Sequence, residues 1–337
     1  MNTKDIAIRI AKKGYRFITH KQFLNPPCII DRQQANDEIF NLLNSDKPCM
    51  ISRFGTTELN CINNYLCVHS QKNKCKKIID YITDYTHTPW WNKDHFKKMS
   101  LWSGIFPPCQ DTAERFSERY LHDIPEIDLL GSFQYYEKFM PLKKNLIKVQ
   151  LETLYPFFVE RPWTRILENQ KVLVIHPFEA TIKHQYDQRE HLFSHPQILP
   201  SFQLITFKAV QSIANSQTQF DDWFKALAWQ EKEIEKIDFD ICLLGCGAYG
   251  MPLAAHVKRM GKKAIHIGGG LQLMFGILGN RWVKQYKDIQ VYRPNEIIDT
   301  NYRKLFNEYW IYPLPEDCPS GAEKVEGACY WLSLIHI

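Results

Sequence analysis

The sequence predicts an α/β protein with a Rossmann-like fold, in which a mostly parallel β-sheet carries helices on both faces. Apolar segments of strand length alternate with segments of helical periodicity along most of the chain. Between Asp240 and Trp282, a strand, a glycine loop, a helix and a second strand follow one another, as in a right-handed βαβ unit. With 45% apolar and 13% aromatic residues among 337, the composition is sufficient for a packed core.

The individual elements follow from apolar runs and amphipathic spacing. Continuous apolar runs predict strands at 49–51, 127–130, 171–178, 202–210, 241–244 and 264–267. Amphipathic spacing predicts helices at 31–44, 59–66, 111–120, 181–193, 220–236 and 252–260. Pro48 and Gly261 end the first and the last of these helices, and Pro252 suits a first helical turn.

Residues 31–312 are predicted to form a single Rossmann-like α/β domain. Residues 1–30 are predicted to be an amphipathic lead-in, with a helix over 1–23, because the basic residues there alternate with apolar ones and no uninterrupted apolar core of a secretory signal is present. Contact of this segment with the inner face of a membrane is the alternative. Residues 313–337 lack periodicity and are predicted to be a tail that wraps back over the domain, and no stretch approaches the length of a transmembrane helix.

Charge and cysteine content restrict the classes of partner. The formal net charge is +5 and no block of like charges occurs, so a nucleic-acid partner is not predicted, whereas a mildly basic surface suits anionic ligands. None of the ten cysteines form paired Cys-x-x-Cys motifs. Several lie in apolar runs, which indicates buried reduced thiols in a cytoplasmic protein rather than a structural zinc site.

The segment Gly245-Cys246-Gly247-Ala248-Tyr249-Gly250 has the spacing of a nucleotide-binding glycine loop. It follows a buried strand and opens a helix, so its backbone amides and the helix N-terminus favour a bound phosphate. A second run, Gly268-Gly269-Gly270, follows the next strand. The alternative is a tight turn that only packs helix on strand. The second strand ends in His266 rather than an acid that would bind a ribose, which argues against an ordinary NAD dehydrogenase.

Two further strand ends carry candidate functional residues. Arg53 and Glu58 lie at a strand-to-helix junction, where an arginine can bind phosphate at two points and a glutamate can bind a metal or a sugar hydroxyl. The alternative is that Thr57 caps the helix and Glu58 complements its dipole. His176 and Glu179 lie at the end of the strongest strand in the middle of the chain.

The segment from Tyr81 to Pro108 is rich in aromatic residues with cations among them. This composition suits the stacking of a base or a sugar ring, and it equally suits a packed flap.

Two stretches together resemble the glycosyltransferases of the GT-D fold, a bacterial group that extends surface or protein-linked glycans from nucleotide sugars. Residues 53–58, Arg-Phe-Gly-Thr-Thr-Glu, are similar to that family's Arg-Tyr/Phe-Gly-Asp-Gly-Glu segment. Residues 244–248, with Leu253-Ala254, Gly261 and Ile265-His266-Ile267-Gly268, are similar to its glycine loop, helix and strand ending in Asp-Ile-Gly. The chain departs from the family at Thr56-Thr57 and at His266.

The resemblance implies a glycosyltransferase with a nucleotide-sugar donor and a glycan or lipid-linked hydroxyl acceptor. Its cofactor would be Mn²⁺ or Mg²⁺, with Glu58 as a metal ligand, and Arg53 would bind the donor diphosphate with the two glycine runs. The sequence-based candidates for the donor-binding set are Arg53, Gly245, Gly247, Ala248, Tyr249, Gly250, Gly268 and Gly269, and those for the base or metal ligand are Glu58, His176, Glu179 and His266. The alternatives are a non-catalytic nucleotide-sugar or glycan-binding protein and a dinucleotide-dependent oxidoreductase.

Overall fold

One parallel sheet organises the structure, a computed structural model that describes residues 3–20, 23–24, 26–91, 93–213, 216, 218–283, 301–319 and 330–331. Within these residues, seven strands pair in the order β3-β2-β1-β7-β6-β4-β5, and every pair is parallel. The strands are β1 (Cys49–Arg53), β2 (Leu129–Ser132), β3 (Ile147–Gln150), β4 (Lys171–His176), β5 (Gln203–Lys208), β6 (Ile241–Leu244) and β7 (Lys263–His266). The predicted Rossmann-like α/β class is confirmed.

Helices cover both faces of this sheet. The helices of the described residues are α1 (Thr3–Thr19), α2 (Arg32–Asn44), α3 (Thr56–His69), α4 (Lys74–Ile82), α5 (Lys93–Ser103), α6 (Gln110–Asp123), α7 (Glu179–Asp187), α8 (Arg189–Leu192), α9 (Trp223–Ile234), α10 (Gly250–Arg259), α11 (Leu271–Met274) and α12 (Asn280–Val283). Alternate strand residues point to opposite faces, so Val172 and Val174 pack with α2 and α7 while Leu173 and Ile175 pack with α9 and α10. Two hydrophobic cores result, one on each face.

The crossover connections place the carboxyl ends of the adjacent strands β1, β7, β6 and β4 together at one edge of the sheet. The connections that follow β1 and β6 run toward the β3 edge over one face, whereas α7 carries the chain from β4 to β5 over the other. Right-handed crossovers require the two faces, because a connection that moves along the sheet toward β3 must cross one face and a connection that moves toward β5 must cross the other. The direction changes between β4 and β6, and ligands of open α/β sheets bind beyond the strand ends at such a point.

Three parts of the fold differ from the sequence-based prediction. The edge strand β3 was not predicted, because its polar Lys148 and Gln150 interrupt the apolar pattern. The predicted helix at 181–193 is two helices, α7 and α8, since Gln188 leaves the helical conformation. The aromatic segment contains α5, whose Phe96 and Met99 pack into the core.

The described part of the C-terminal segment packs onto the domain. The Trp331 ring lies 5.9 Å from that of Phe178 and is buried. The carboxylate of Asp317 accepts hydrogen bonds from the Thr181 amide at 2.8 Å and from the Thr181 hydroxyl at 2.7 Å. Among the described residues, no disulfide joins any cysteines; Cys49, Cys61, Cys242 and Cys246 are buried thiols, whereas Cys75 and Cys109, which lie outside the apolar runs, are exposed. No helix in the described ranges has the length and apolarity needed to cross a bilayer.

Candidate functional site

Arg53 ends β1 and is half-buried at the carboxyl edge of the sheet. Its guanidinium carbon lies 5.2 Å from the centre of the Phe133 ring, on the neighbouring strand end. The side chain also lies over Gly268, where an added Cβ would be 3.5 Å from Cδ and 3.8 Å from Nε of Arg53. No described carboxylate forms an ion pair with this guanidinium. An arginine held by a ring and a glycine, with no acidic partner in the described structure, retains its capacity for an anionic ligand.

Glu58 lies in the first turn of α3 and is only 7% exposed. Its carboxylate folds back against Gly55, so that any side chain at position 55 would collide with it. The N-cap residue is Gly55, which has no side chain to cap the helix, and Thr57 lies inside the first turn rather than at the cap. No described group donates a hydrogen bond to the Glu58 carboxylate. The alternative of a Thr57 cap is therefore wrong, and Glu58 remains a buried acid at the helix N-terminus.

The buried Tyr120 connects this junction to the glycine loop. Its hydroxyl donates a hydrogen bond of 2.7 Å to the carbonyl of Ala248. Burial raises the pKa of Tyr120 well above its usual value, the charge of Glu58 raises it further, and the charge of Arg53 opposes this. The two sequence motifs, far apart in the chain, meet in space where Arg53 lies over Gly268.

The glycine loop leaves β6 and forms a short 3₁₀ turn, Gly247–Tyr249, before α10 begins at Gly250. Gly247 has a φ of +57°, and nothing lies within 4 Å of where its Cβ would be. The amides of Gly247 and Ala248 open this turn and have no partner within it. Gly245 packs tightly, since its Cβ would lie 2.9 Å from the Gly268 carbonyl oxygen. The two glycine runs are therefore in contact beyond β6 and β7.

His176 ends β4 beside this loop, and its geometry determines which nitrogen carries the proton. The amide of Phe178 donates a hydrogen bond of 3.0 Å to Nδ1, which places the proton of the neutral ring on Nε2. Burial lowers the pKa of His176 to about 3. The ring therefore stays neutral and offers an N–H donor, which is a poor match for the predicted role of base.

Glu179 begins α7 and is directed toward β5. Its Oε1 accepts hydrogen bonds from the Thr206 hydroxyl at 2.6 Å and from Nζ of Lys183 at 2.9 Å. Burial alone would raise the pKa of Glu179, but the bonds from Lys183 and Thr206 hold it below its usual range. The carboxylate is thus satisfied by its own neighbours, which favours a structural role.

His266 ends β7 and fills the space between β1 and α10. Its Nδ1 lies 3.1 Å from the hydroxyl oxygen of Ser52, and its ring lies where a side chain at Gly250 would have to be. Burial, assisted by the nearby charge of Arg53, lowers the pKa of His266 to about 3. In this arrangement Gly250 is required by close packing of the imidazole, and the ring orients the strand end that carries Arg53.

Aromatic rings cover the second glycine run, an arrangement that sequence reasoning missed. A side chain at Gly270 would collide with the Tyr155 ring, and one at Gly269 would lie 2.5 Å from Cε1 of Tyr330. The Tyr330 hydroxyl accepts a hydrogen bond of 2.6 Å from Nη1 of Arg281. These tyrosines come from distant segments without any motif, so no sequence pattern indicated them.

Glu137 was also missed, although a sequence signal for it exists. It is fully buried at the end of β2, where it accepts hydrogen bonds from the Ser132 hydroxyl at 2.5 Å and from the amides of Phe133 and Gln134. Burial raises its pKa above the usual value. The Gln134-x-x-Glu137 spacing is that of a capping box, and the structure forms that box. Glu137 holds the backbone of Phe133, the residue beneath Arg53.

The predicted aromatic segment packs against itself. The rings of Trp91 and Phe96 lie 5.7 Å apart, and the indole of Trp91 donates to Glu114 of α6 at 3.2 Å. These contacts favour the packed-flap alternative over a stacking platform.

Among the described residues, no group of three or more His, Cys, Asp or Glu side chains is placed to hold a metal ion. Glu58 is the one acid of the first motif, and its carboxylate lies against Gly55 just beyond the end of β1. A single carboxylate fits Mg²⁺-type sites that are completed by substrate phosphates, and it does not fit an all-protein cage.

Comparison with known proteins provided no relatives. No family model, curated protein sequence or solved structure matches the chain.

Proposed function

We propose that this chain is a glycosyltransferase that moves a sugar from a nucleotide-sugar donor to a hydroxyl of a glycan or lipid-linked acceptor in surface glycan synthesis. The observation that carries the proposal is the convergence of the Arg53 guanidinium, which no described acid pairs, with the two glycine runs at the switch point of the sheet. A cation beside open backbone amides suits a diphosphate. The resemblance of residues 53–58 and 244–268 to GT-D enzymes supports the same function.

The side chains divide the chemistry as follows. Arg53 and the amides of Gly247 and Ala248 would bind the diphosphate and stabilise its charge as it leaves. Glu58 is the candidate acid that pairs with no described cation, so it would accept the acceptor proton or bind a metal. The Nε2–H of His176 would donate a hydrogen bond. A bound Mn²⁺ or Mg²⁺ would add positive charge at the phosphates, with Glu58 as its protein ligand.

A second candidate is a nucleotide-sugar-binding protein without catalysis. The observation that favours it is that His176 and His266 are buried and neutral and that Glu179 is paired. Only Glu58 is then left for proton transfer. A dinucleotide-dependent oxidoreductase has less support, because the end of β7 carries the buried His266 in place of a ribose-binding acid.

Thermal unfolding with UDP-, GDP-, CMP- and dTDP-sugars, each with and without Mn²⁺, tests the proposal. We expect one nucleotide class to raise the unfolding temperature, since a ligand at 100 times its Kd stabilises by about 2.7 kcal/mol. Arg53→Ala should abolish the rise. Arg161→Ala is the matched control, because Arg161 is a surface arginine paired with Asp37.

Turnover of the stabilising donor then separates the two candidates. Release of the nucleoside diphosphate with acceptor, measured by chromatography, supports a transferase. Stabilisation without any turnover across acceptors would favour the binding protein, and no stabilisation by any nucleotide sugar would contradict both.

A further inference from the structure

The N-terminal helix α1 attaches to the domain through its polar side. The Asp84 carboxylate, which is fully buried, pairs with Nζ of Lys12 at 2.7 Å and with Nε of Arg16 at 2.5 Å. Nζ of Lys12 also lies 3.8 Å from the centre of the Tyr81 ring. Burial alone would raise the pKa of Asp84, but hydrogen bonds from Arg16 and Lys12 hold it below its usual range. These contacts fix which face of α1 is turned toward the protein.

The apolar side of α1 is consequently turned outward. Ile10 is 63% exposed, Phe17 79% and Ile18 78%. At about 100° per residue, Ile6, Ile10 and Phe17 lie within roughly 40° of one another, and the exposed Ala7, Ala11, Gly14 and Ile18 extend the same stripe. A helix that served only to complete the core would bury this stripe. Its exposure indicates a surface made for an apolar phase outside the domain.

The charges around the stripe identify that phase. The sequence of α1 contains five cationic residues and one acid, Asp5. Helix α4, which packs beside α1, adds an exposed Lys74 and an Ile79 that is 53% exposed, while its Asp80 is buried and paired with Lys76. An apolar stripe flanked by cations is what an interfacial helix presents to anionic lipid. Self-association through α1 would instead bring two cationic helices together, which is unfavourable.

We propose that α1 lies in the surface of an anionic lipid bilayer and places the domain beside it. The stripe of Ile6, Ile10, Phe17 and Ile18 would enter the boundary between headgroups and acyl chains, and the exposed Lys13 of α1 and Lys74 of α4 would contact lipid phosphates. This inference rests on α1 and α4 alone, so it is independent of the proposed catalytic function.

Flotation of the full chain with vesicles tests the proposal. We expect the protein to float with vesicles of equal parts phosphatidylglycerol and phosphatidylcholine, and more weakly with phosphatidylcholine alone or at high salt. The double variant Phe17→Ser with Ile18→Ser should lower the partition coefficient at least ~10-fold, because two large apolar side chains no longer enter the bilayer. Lys13→Glu should lower it roughly five-fold or more at low salt.

The matched control is Tyr309→Ser, which removes an exposed aromatic side chain from the C-terminal segment and should leave flotation unchanged. Circular dichroism melting checks that all variants remain folded. The proposal is overturned if the parent does not float with anionic vesicles, or if the folded double variant floats as well as the parent. A dimer in solution that the double variant dissociates, with no vesicle binding by either protein, would assign the stripe to a second copy and also overturn it.

Discussion

Two glycines of this fold allow the proposed phosphate-binding role of the loop to be separated from backbone strain. Gly247 in the loop has a φ of +57° and Gly261 after α10 has a φ of +82°, and neither has any atom within 4 Å of its would-be Cβ. Alanine at either position therefore costs only the left-handed conformation, about 1 to 2 kcal/mol. Over 337 residues, with about 2.1 cal/mol/K of unfolding entropy per residue, either change lowers Tm by about 1.5 to 3 °C.

The two substitutions should differ in ligand binding. Gly247 lies at the carboxyl edge of the sheet, where its new methyl group would stand between the loop amides and a phosphate. Gly261 lies just before β7, at the opposite edge. Loss of one amide hydrogen bond to a charged phosphate is worth about 1.5 to 3 kcal/mol, so Gly247→Ala should weaken binding ~10- to 150-fold. Gly261→Ala should bind as the parent does.

Isothermal titration with nucleoside diphosphates and the stabilising nucleotide sugar measures this difference, with Tm recorded for each variant. Equal affinity of the parent and Gly247→Ala would remove the glycine loop from the phosphate site. An equal loss of affinity in Gly247→Ala and Gly261→Ala would attribute the weaker binding to backbone strain at the ends of α10. That result would also refute a phosphate site at the glycine loop.

Three other substitutions test the remaining assignments. Arg53→Lys should fail to restore the donor binding that Arg53→Ala loses, because a point charge does not replace a planar fork; full activity of the lysine variant would show that only charge matters. Glu58→Gln should lower turnover and the response to Mn²⁺ while changing the free energy of unfolding by about 1 kcal/mol or less, and an unaltered rate would exclude its proposed role. Asp84→Asn should expose α1 to limited proteolysis at pH 7. In the parent, burial would raise the pKa of Asp84, but hydrogen bonds from Arg16 and Lys12 lower it below the unfolded value of about 3.9. The attachment of α1 is therefore fully present above pH ~3.9 and is lost as the pH falls through the lower pKa of the folded state. Protection of α1 from the protease in Asp84→Asn would contradict this role of Asp84.

Much of the fold could be predicted because its signals are local. Strands β1, β4 and β6 are continuous apolar runs and lie where the runs occur, since a parallel sheet buries both faces of each strand. Strand β3 has no such run, because Lys148 and Gln150 interrupt its apolar residues, and the pattern did not indicate it. Strand ends were also predictable, and with them the location of Arg53, Glu58 and the glycine loop.

The fold class, the glycine loop and the set of polar residues at the strand ends were predictable from local sequence, because backbone preferences and apolar periodicity act over a few residues. What those side chains face was not predictable and depends on the assembled fold. His266 and His176 are buried and neutral, Glu179 is paired by Thr206, and Arg53 lies between Phe133 and Gly268. Each of these environments is made by segments distant in the chain, and desolvation and hydrogen bonding depend on that assembled surrounding rather than on neighbours in sequence.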